Sequence, residues 1–305
     1  MLYKHRFTKY IYIIFGLLII FNFLHYFNIN NFNDIIEPYY ASGPHLIFFG
    51  RNTLGDPDTK RMLGTMGNPN NNGILFLFFT VLFSLKNNSS FFKYFLFYLC
   101  FIAILFCQSR TCFIIFVIIF LLNTLYLNRL HYTKIIAIAV IFILTYISLN
   151  IFSVFNASDK ELSTKYLNEM IQYNMLETGT IQSRFITWNH LWDMIKEKPI
   201  LGHAPYKEYF YNKKMYSENE YMLMLWRYGF IGLIFYILII VYPLKILDNF
   251  KDNPAPYFLL TIIITALTNN PLSEPRILLM FAFFTALIYA LRNKNYLDYE
   301  KITVS

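Results

Sequence analysis

Long apolar runs separated by short polar links dominate this chain, and they predict helices that cross a membrane. A spanning helix needs about 20 mostly apolar residues, fewer when neighbouring helices bury it. Eight runs qualify, at 11–28, 73–85, 94–108, 111–127, 135–155, 221–244, 256–268 and 277–291. The second and seventh are short, so they are expected to tilt little, extend into polar flanks or end inside a protein-lined cavity. Lys4, Arg6 and Lys9 precede the first run in the manner of a signal sequence. No small-x-small cleavage site follows promptly, which makes that run an uncleaved anchor.

The polar links between runs set the orientation. Lys4, Arg6 and Lys9, then Lys86 and Lys93, Arg129 and Lys134, Lys245 and Lys251, and finally Arg292, Lys294 and Lys301 fall on one side. The opposite short loops carry only Arg110 and Arg276. By the positive-inside rule both termini are cytoplasmic, and the long loops at 29–72 and 156–220 face outward. The expected fold is therefore an all-α integral membrane protein, residues 1–305 forming a single polytopic domain. Its longest outer loop lies between the fifth and sixth spans.

Composition agrees. Hydrophobic residues make up 56% of the 305 and charged residues 14%, against about 25% charged in an ordinary soluble chain. With 33 Phe and 25 Tyr, a soluble fold has too little interior for the apolar surface, and disorder is excluded because a disordered chain must be poor in hydrophobic residues. The net charge of +8 is explained by the cytoplasmic links. No RNP-like, zinc-finger or basic-helix pattern points to nucleic acid. Cys100, Cys107 and Cys112 lie in or beside apolar runs, an odd set that reads as packing residues rather than a disulfide framework.

Polar chemistry is then confined to the outer loops. The first holds Asp56-Pro57-Asp58, and Asn68-Pro69 followed by Asn70, Asn71, Asn72 and Gly73, turn formers that lead tightly into the next span. Asp56-Pro57-Asp58 mimics a metal-binding Asp-x-Asp, but a Pro-centred turn explains it as well. The six histidines show no metal-ligand pairing, so no metal is assigned. In the second loop an amphipathic helix runs from about Ser183 to Glu197. Phe185, Trp188, Leu191, Trp192 and Ile195 share one face, suited to a membrane surface. Ser183 is expected to cap it, and Pro199 with Gly202 to stop it.

Arginines and carboxylates at the outer edge are the candidates for chemistry. Arg110 sits in Gln108-Ser109-Arg110-Thr111, almost no connection at all between two spans. It reads either as a snorkelling interfacial cation or as a residue facing a protein cavity, with a negative partner expected. Arg184 opens the amphipathic helix. It is either a solvated polar-face residue or a fork for phosphate oxygens, which arginine grips bidentately without losing its charge. Glu218 and Glu220 flank Asn219 at the start of the sixth span, where carboxylates favour the helix dipole or serve as a general base. Arg227, two turns into that helix, is expected to face the bundle interior or a carboxylate. Arg276 is expected to pair with Glu274 at the rim.

In order, several short pieces resemble the O-antigen polymerase and ligase family of envelope glycosyltransferases. They are Gly64-Thr-Met-Gly-Asn68-Pro69-Asn70, Gln108-Ser109-Arg110-Thr111, Ser183-Arg184 with Trp188, and Lys198-Pro199-Ile200-Leu201-Gly202. The last is Glu218-Asn219-Glu220-Tyr221 running into Tyr228-Gly229-Phe230-Ile231-Gly232-Leu233. The resemblance covers about 60 to 291. Members of the family usually have more spans, so the chain is short at its N-terminus by comparison. Ligases of the family resemble one another in a His directly before the Asn of the last loop motif, where this chain has Glu218. That departure favours a polymerase of lipid-linked repeat units, for O-antigen or capsule. The ligase, which hands finished glycan to lipid A-core, stays open beside it, as does a transporter or flippase.

The resemblance implies a multi-pass protein of the bacterial inner membrane. It implies a glycan donor on undecaprenyl diphosphate, no metal and no cofactor. A chain-length regulator is a further partner it allows. In that setting Arg110 and Arg184 are assigned to the diphosphate, and Glu218 or Glu220 to the acceptor hydroxyl's proton. Arg61, Asn68, Asn70, Asn219 and Arg227 are assigned to substrate contacts.

Overall fold

The computed structural model describes residues 2–40, 61–84, 91–122, 143, 179–205, 217–243 and 255–286. Every regular element among them is helical. The expected span at 135–155 lies outside the described residues except for Ile143, as does Asp56-Pro57-Asp58. The chain divides into two compact units, Met1–Gln172 and Tyr173–Ser305.

In the first unit α1 runs Leu2–Phe27, and a 3-10 turn at Ile29–Asn31 leads into α2, Phe32–Tyr40. A second 3-10 turn, Gly64–Met66, precedes α3, Pro69–Ser84, followed by α4, Phe91–Cys107, and α5, Arg110–Leu121. The centre of the unit is α3. Every residue from Ile74 to Val81 is buried, because α4 and α5 pack along it and Phe15 of α1 covers part of what remains. Packing against α4 and α5, with aromatic rings of α1 such as Phe15 reaching it, explains how so short a run exists as an element. It extends four residues into its polar flank, with Pro69 and its preset φ at the first helical position. Phe15 of α1 meets Phe76 and Phe83 of α3 edge-on, at 6.5 and 4.9 Å between ring centres. Such pairs contribute about 0.5–1.5 kcal/mol beyond the area they cover. Thr80 returns its hydroxyl to the Phe76 carbonyl at 2.8 Å, so the apolar interior keeps no stray donor there.

The second unit contains α6, Gly179–Glu197, α7, Glu220–Val241, α8, Ala255–Thr265, and α9, Pro275–Ala286. Two departures from expectation appear here. First, α6 begins at Gly179, so Ser183 lies within the helix and does not cap it. Second, the predicted apolar face of α6 divides. Leu191 and Ile195 are fully buried in a cluster with Leu223, Leu225 and Trp226 of α7, while Phe185 and Trp192 stay exposed. Helix–helix packing claims the part of the face nearest α7. Pro199 and Gly202 do terminate α6.

Lys9–Phe27 and Glu220–Val241 are long and apolar enough to cross a membrane. Phe92–Cys107, Arg110–Leu121 and Pro275–Ala286 are shorter apolar helices. Among the described residues, therefore, two of the eight expected spans reach full crossing length.

Candidate functional site

In the second unit, charge converges where α6 passes the start of α7. Asn219 caps α7 from an extended conformation, φ −147 and ψ 111, its side chain accepting from the Met222 N–H at 3.0 Å. The cap throws the preceding residue, Glu218, back toward α6. There both Nε and Nη2 of Arg184 turn to the same carboxylate oxygen of Glu218. The Arg184 side chain is 22% exposed and that of Glu218 38%, so the pair is open on one side. Asn219, expected to touch substrate, is 8% exposed and is used as the helix cap.

Glu220, two residues on, has a different setting. It is fully buried. Oε2 accepts from the Tyr236 hydroxyl at 2.9 Å and the Leu272 N–H at 3.0 Å, and Oε1 accepts from the Ser273 hydroxyl at 2.9 Å. Its own N–H donates to the Ala266 carbonyl at 2.8 Å. The carboxylate thus ties the turn between α8 and α9 to the start of α7, and three donors offset the cost of burying it. Arg276 lies 3.8 Å from Glu274 in the following turn, as expected.

The expected continuous span at 221–244 is broken. Gly229 takes φ 64 and ψ −163, a conformation that only glycine adopts readily. The Phe230 and Ile231 N–H groups cannot reach Trp226 and Arg227, and donate instead to Pro199 and Ile200 at 2.8 and 3.4 Å. The freed carbonyls of Trp226 and Arg227 accept from His203 and Ala204 at 2.8 and 2.9 Å. Arg227, expected to face the bundle interior or a carboxylate, is half-buried, has no ion-pair partner among the described residues, and keeps its Nε buried without a hydrogen bond.

The first unit gathers the other candidates around the α4–α5 turn. Arg61 is 6% exposed. Its Nε donates to the Cys107 carbonyl at 3.0 Å, and its Nη2 donates to Asn70 Oδ1 at 2.9 Å and the Gln108 carbonyl at 3.2 Å. A cation at the end of α4 meets exposed carbonyls and the negative end of the helix dipole. Asn68 caps α3, its Oδ1 accepting from the Asn70 and Asn71 N–H groups at 2.9 and 3.3 Å. Gln108 at φ 50 makes the reversal in two residues, which leaves Arg110 at the first position of α5, half-buried. The dipole disfavours a cation at a helix start.

Residues 95–237 match the O-antigen ligase family. The match is consistent with the O-antigen polymerase and ligase family that the motifs resemble. No curated protein and no solved structure matches the chain.

The segment matched to the O-antigen ligase family takes in Arg110, Arg184, Glu218, Glu220 and Arg227, while Arg61, Asn68 and Asn70 precede it. It supports O-antigen polymerase or ligase activity in general, in a membrane-associated protein. The transporter alternative finds no support. The two glycine-containing motifs, Lys198 to Gly202 and Tyr228 to Leu233, were recognised in sequence without a role. The structure joins them through two backbone bonds, Phe230 to Pro199 and Ile231 to Ile200, and two more, His203 to Trp226 and Ala204 to Arg227, join the residues beside them. The run of hydrophobic residues around Gly229 carries no local sign of that junction.

Proposed function

We propose that the chain is a polymerase of lipid-diphosphate-linked repeat units, working at the outer face of the inner membrane. The observation that carries this reading is the half-open Arg184–Glu218 pair at the start of α7. Arg184 is the cation for the departing diphosphate, and Glu218 the acceptor for a proton. The acceptor hydroxyl attacks the anomeric carbon of the donor glycan. The new C–O bond forms as the bond from that carbon to the phosphate oxygen breaks. The electron pair leaves with the lipid diphosphate, and the hydroxyl proton passes to Glu218.

Glu218 stands where ligases of the resembled family have a His, and that departure is what favours repeat-unit polymerisation over ligation. Burial and three donors assign Glu220 to holding the site, so Glu218 is the better base. Arg110, in the other unit, is a separate candidate for phosphate contact. An arginine placed against the helix dipole is one whose charge gains from a nearby anion.

Deleting the gene and running the surface glycan on a gel tests the reading. Collapse of the ladder to core plus one repeat is the expected result. Loss of every repeat, with long polymer left on its lipid carrier, assigns the ligase instead, and an unchanged ladder overturns both. Arg184→Lys and Arg110→Lys keep the charge and lose the fork. Each is expected to cut polymer formation at least tenfold with normal membrane levels, and normal activity in both sinks the phosphate-binding role.

A further inference from the structure

The break in α7 is filled by backbone alone, and the fit tolerates almost no change. A Cβ on Gly229 would lie 2.2 Å from the Ile200 carbonyl oxygen and 2.6 Å from that of Pro199. A Cβ on Gly202, whose φ is 70, would lie 2.5 Å from the Arg227 carbonyl carbon and 2.6 Å from the Gly229 nitrogen. Each glycine is required by the segment that carries the other. His203 adds a side-chain pin, its Nε2 2.8 Å from the Met194 carbonyl and its ring stacked on Trp226 at 5.9 Å.

We propose that Gly202 and Gly229 are positioning residues, whose interlock fixes α6 against α7 in the register that brings Arg184 to Glu218. This rests on the reading of that pair as the reacting centre. Beside the interlock and the His203 pin, α6 and α7 share the Leu191–Trp226 cluster, and apolar packing is non-directional, so it sets the register less sharply. Four backbone hydrogen bonds are directional and fix it. Arg184 stands 13 residues before the end of α6, about 20 Å along the axis. A tilt of about 5° at the interlock therefore moves it by nearly 2 Å, and a misplacement of about 1 Å can cost 100-fold in rate.

An alanine at 229 leaves the chain a folded alternative. α7 can then close its own ladder, from Phe230 to Trp226 and from Ile231 to Arg227, with the 199–204 segment released. The defect is then one of register and leaves insertion intact.

The test uses Met194→Cys with Met222→Cys, two residues that border the shared cluster. Cys100, Cys107 and Cys112 are buried and compete little for reagent. In membranes, a short bis-maleimide is expected to link this pair efficiently. Gly229→Ala and Gly202→Ala are each expected to lower both linking and glycan polymerisation at least tenfold, with unchanged membrane levels. His203→Ala, which keeps the backbone bonds, is expected to lower both less. The cross-linked fraction of Gly229→Ala is expected to recover activity, which repair of a merely unstable protein would not predict. Gly16→Ala in α1, where a Cβ meets nothing within 4 Å, changes neither readout.

Undiminished linking in Gly229→Ala overturns the proposal, as does full activity despite lost linking, or linked protein that stays inactive. If Gly229→Ala does not accumulate, Gly202→Ala and His203→Ala decide by the same criteria. Normal activity in Arg184→Lys beside lost linking in Gly229→Ala overturns the reacting-centre reading and upholds the interlock.

Discussion

Replacing Glu220 by alanine separates a structural carboxylate from a reacting one. The side chain is fully buried and receives three hydrogen bonds, from Tyr236, Leu272 and Ser273. A hydrogen bond to a charged group nets about 1.5–3 kcal/mol, and bonds sharing one acceptor group do not add. The alanine leaves the Tyr236 hydroxyl buried without its acceptor and unties the α8–α9 turn. The expected loss is about 3 kcal/mol, the upper range for leaving buried donors without their acceptor. Glu220→Gln is the sensitive comparison. Its amide oxygen can stand in place of Oε2 and keep Tyr236 and Leu272. Its NH2 group would then face the Ser273 hydroxyl, which turns to accept. About 1 kcal/mol is expected for that variant. Denaturant unfolding in micelles, followed by tryptophan fluorescence, measures both, with glycan polymerisation assayed on the same membranes. An unfolding midpoint unchanged in Glu220→Ala while activity vanishes would refute the tether and return Glu220 to the chemistry. Equal losses for Ala and Gln would refute the hydrogen-bond exchange.

Two further substitutions test the first unit by the same unfolding measurement. Arg61→Met removes the donor to the Cys107 and Gln108 carbonyls and to Asn70. A loss of about 3 kcal/mol is expected, and a midpoint shift near zero would mean that the end of α4 does not depend on it. Asn68→Ala removes the cap of α3, for about 1 kcal/mol. Activity measured on the folded fraction is expected to persist, and its loss would return Asn68 to substrate binding.

Local signals were read well wherever the physics is local. Asn68-Pro69 announced a tight turn into the next span, expected from 73; the helix begins four residues earlier at Pro69, because the Asn68 cap acceptor and the fixed proline φ act within three residues. Gln108-Ser109 announced a reversal because two apolar runs left room for nothing else. The start of α6 was misplaced for the complementary reason. Ser183 is a good cap by type, but propensity is a weak prior that tertiary contacts override, and the helix continues back to Gly179.

The sequence by itself determined a helical, lipid-compatible chain, its apolar elements, its tight turns and the short pieces that resemble one enzyme family. These follow from period, composition and turn chemistry over a few residues. The tertiary structure alone decided which charged groups meet partners far along the chain. Arg184 finds Glu218 across 34 residues of chain, and Glu220 finds Leu272 and Ser273 across 52 and 53. It also decided that α7 breaks at Gly229, since nothing within that helix requires a break. The break exists because the 199–204 segment supplies the hydrogen bonds that an unpaired backbone in an apolar setting cannot forgo.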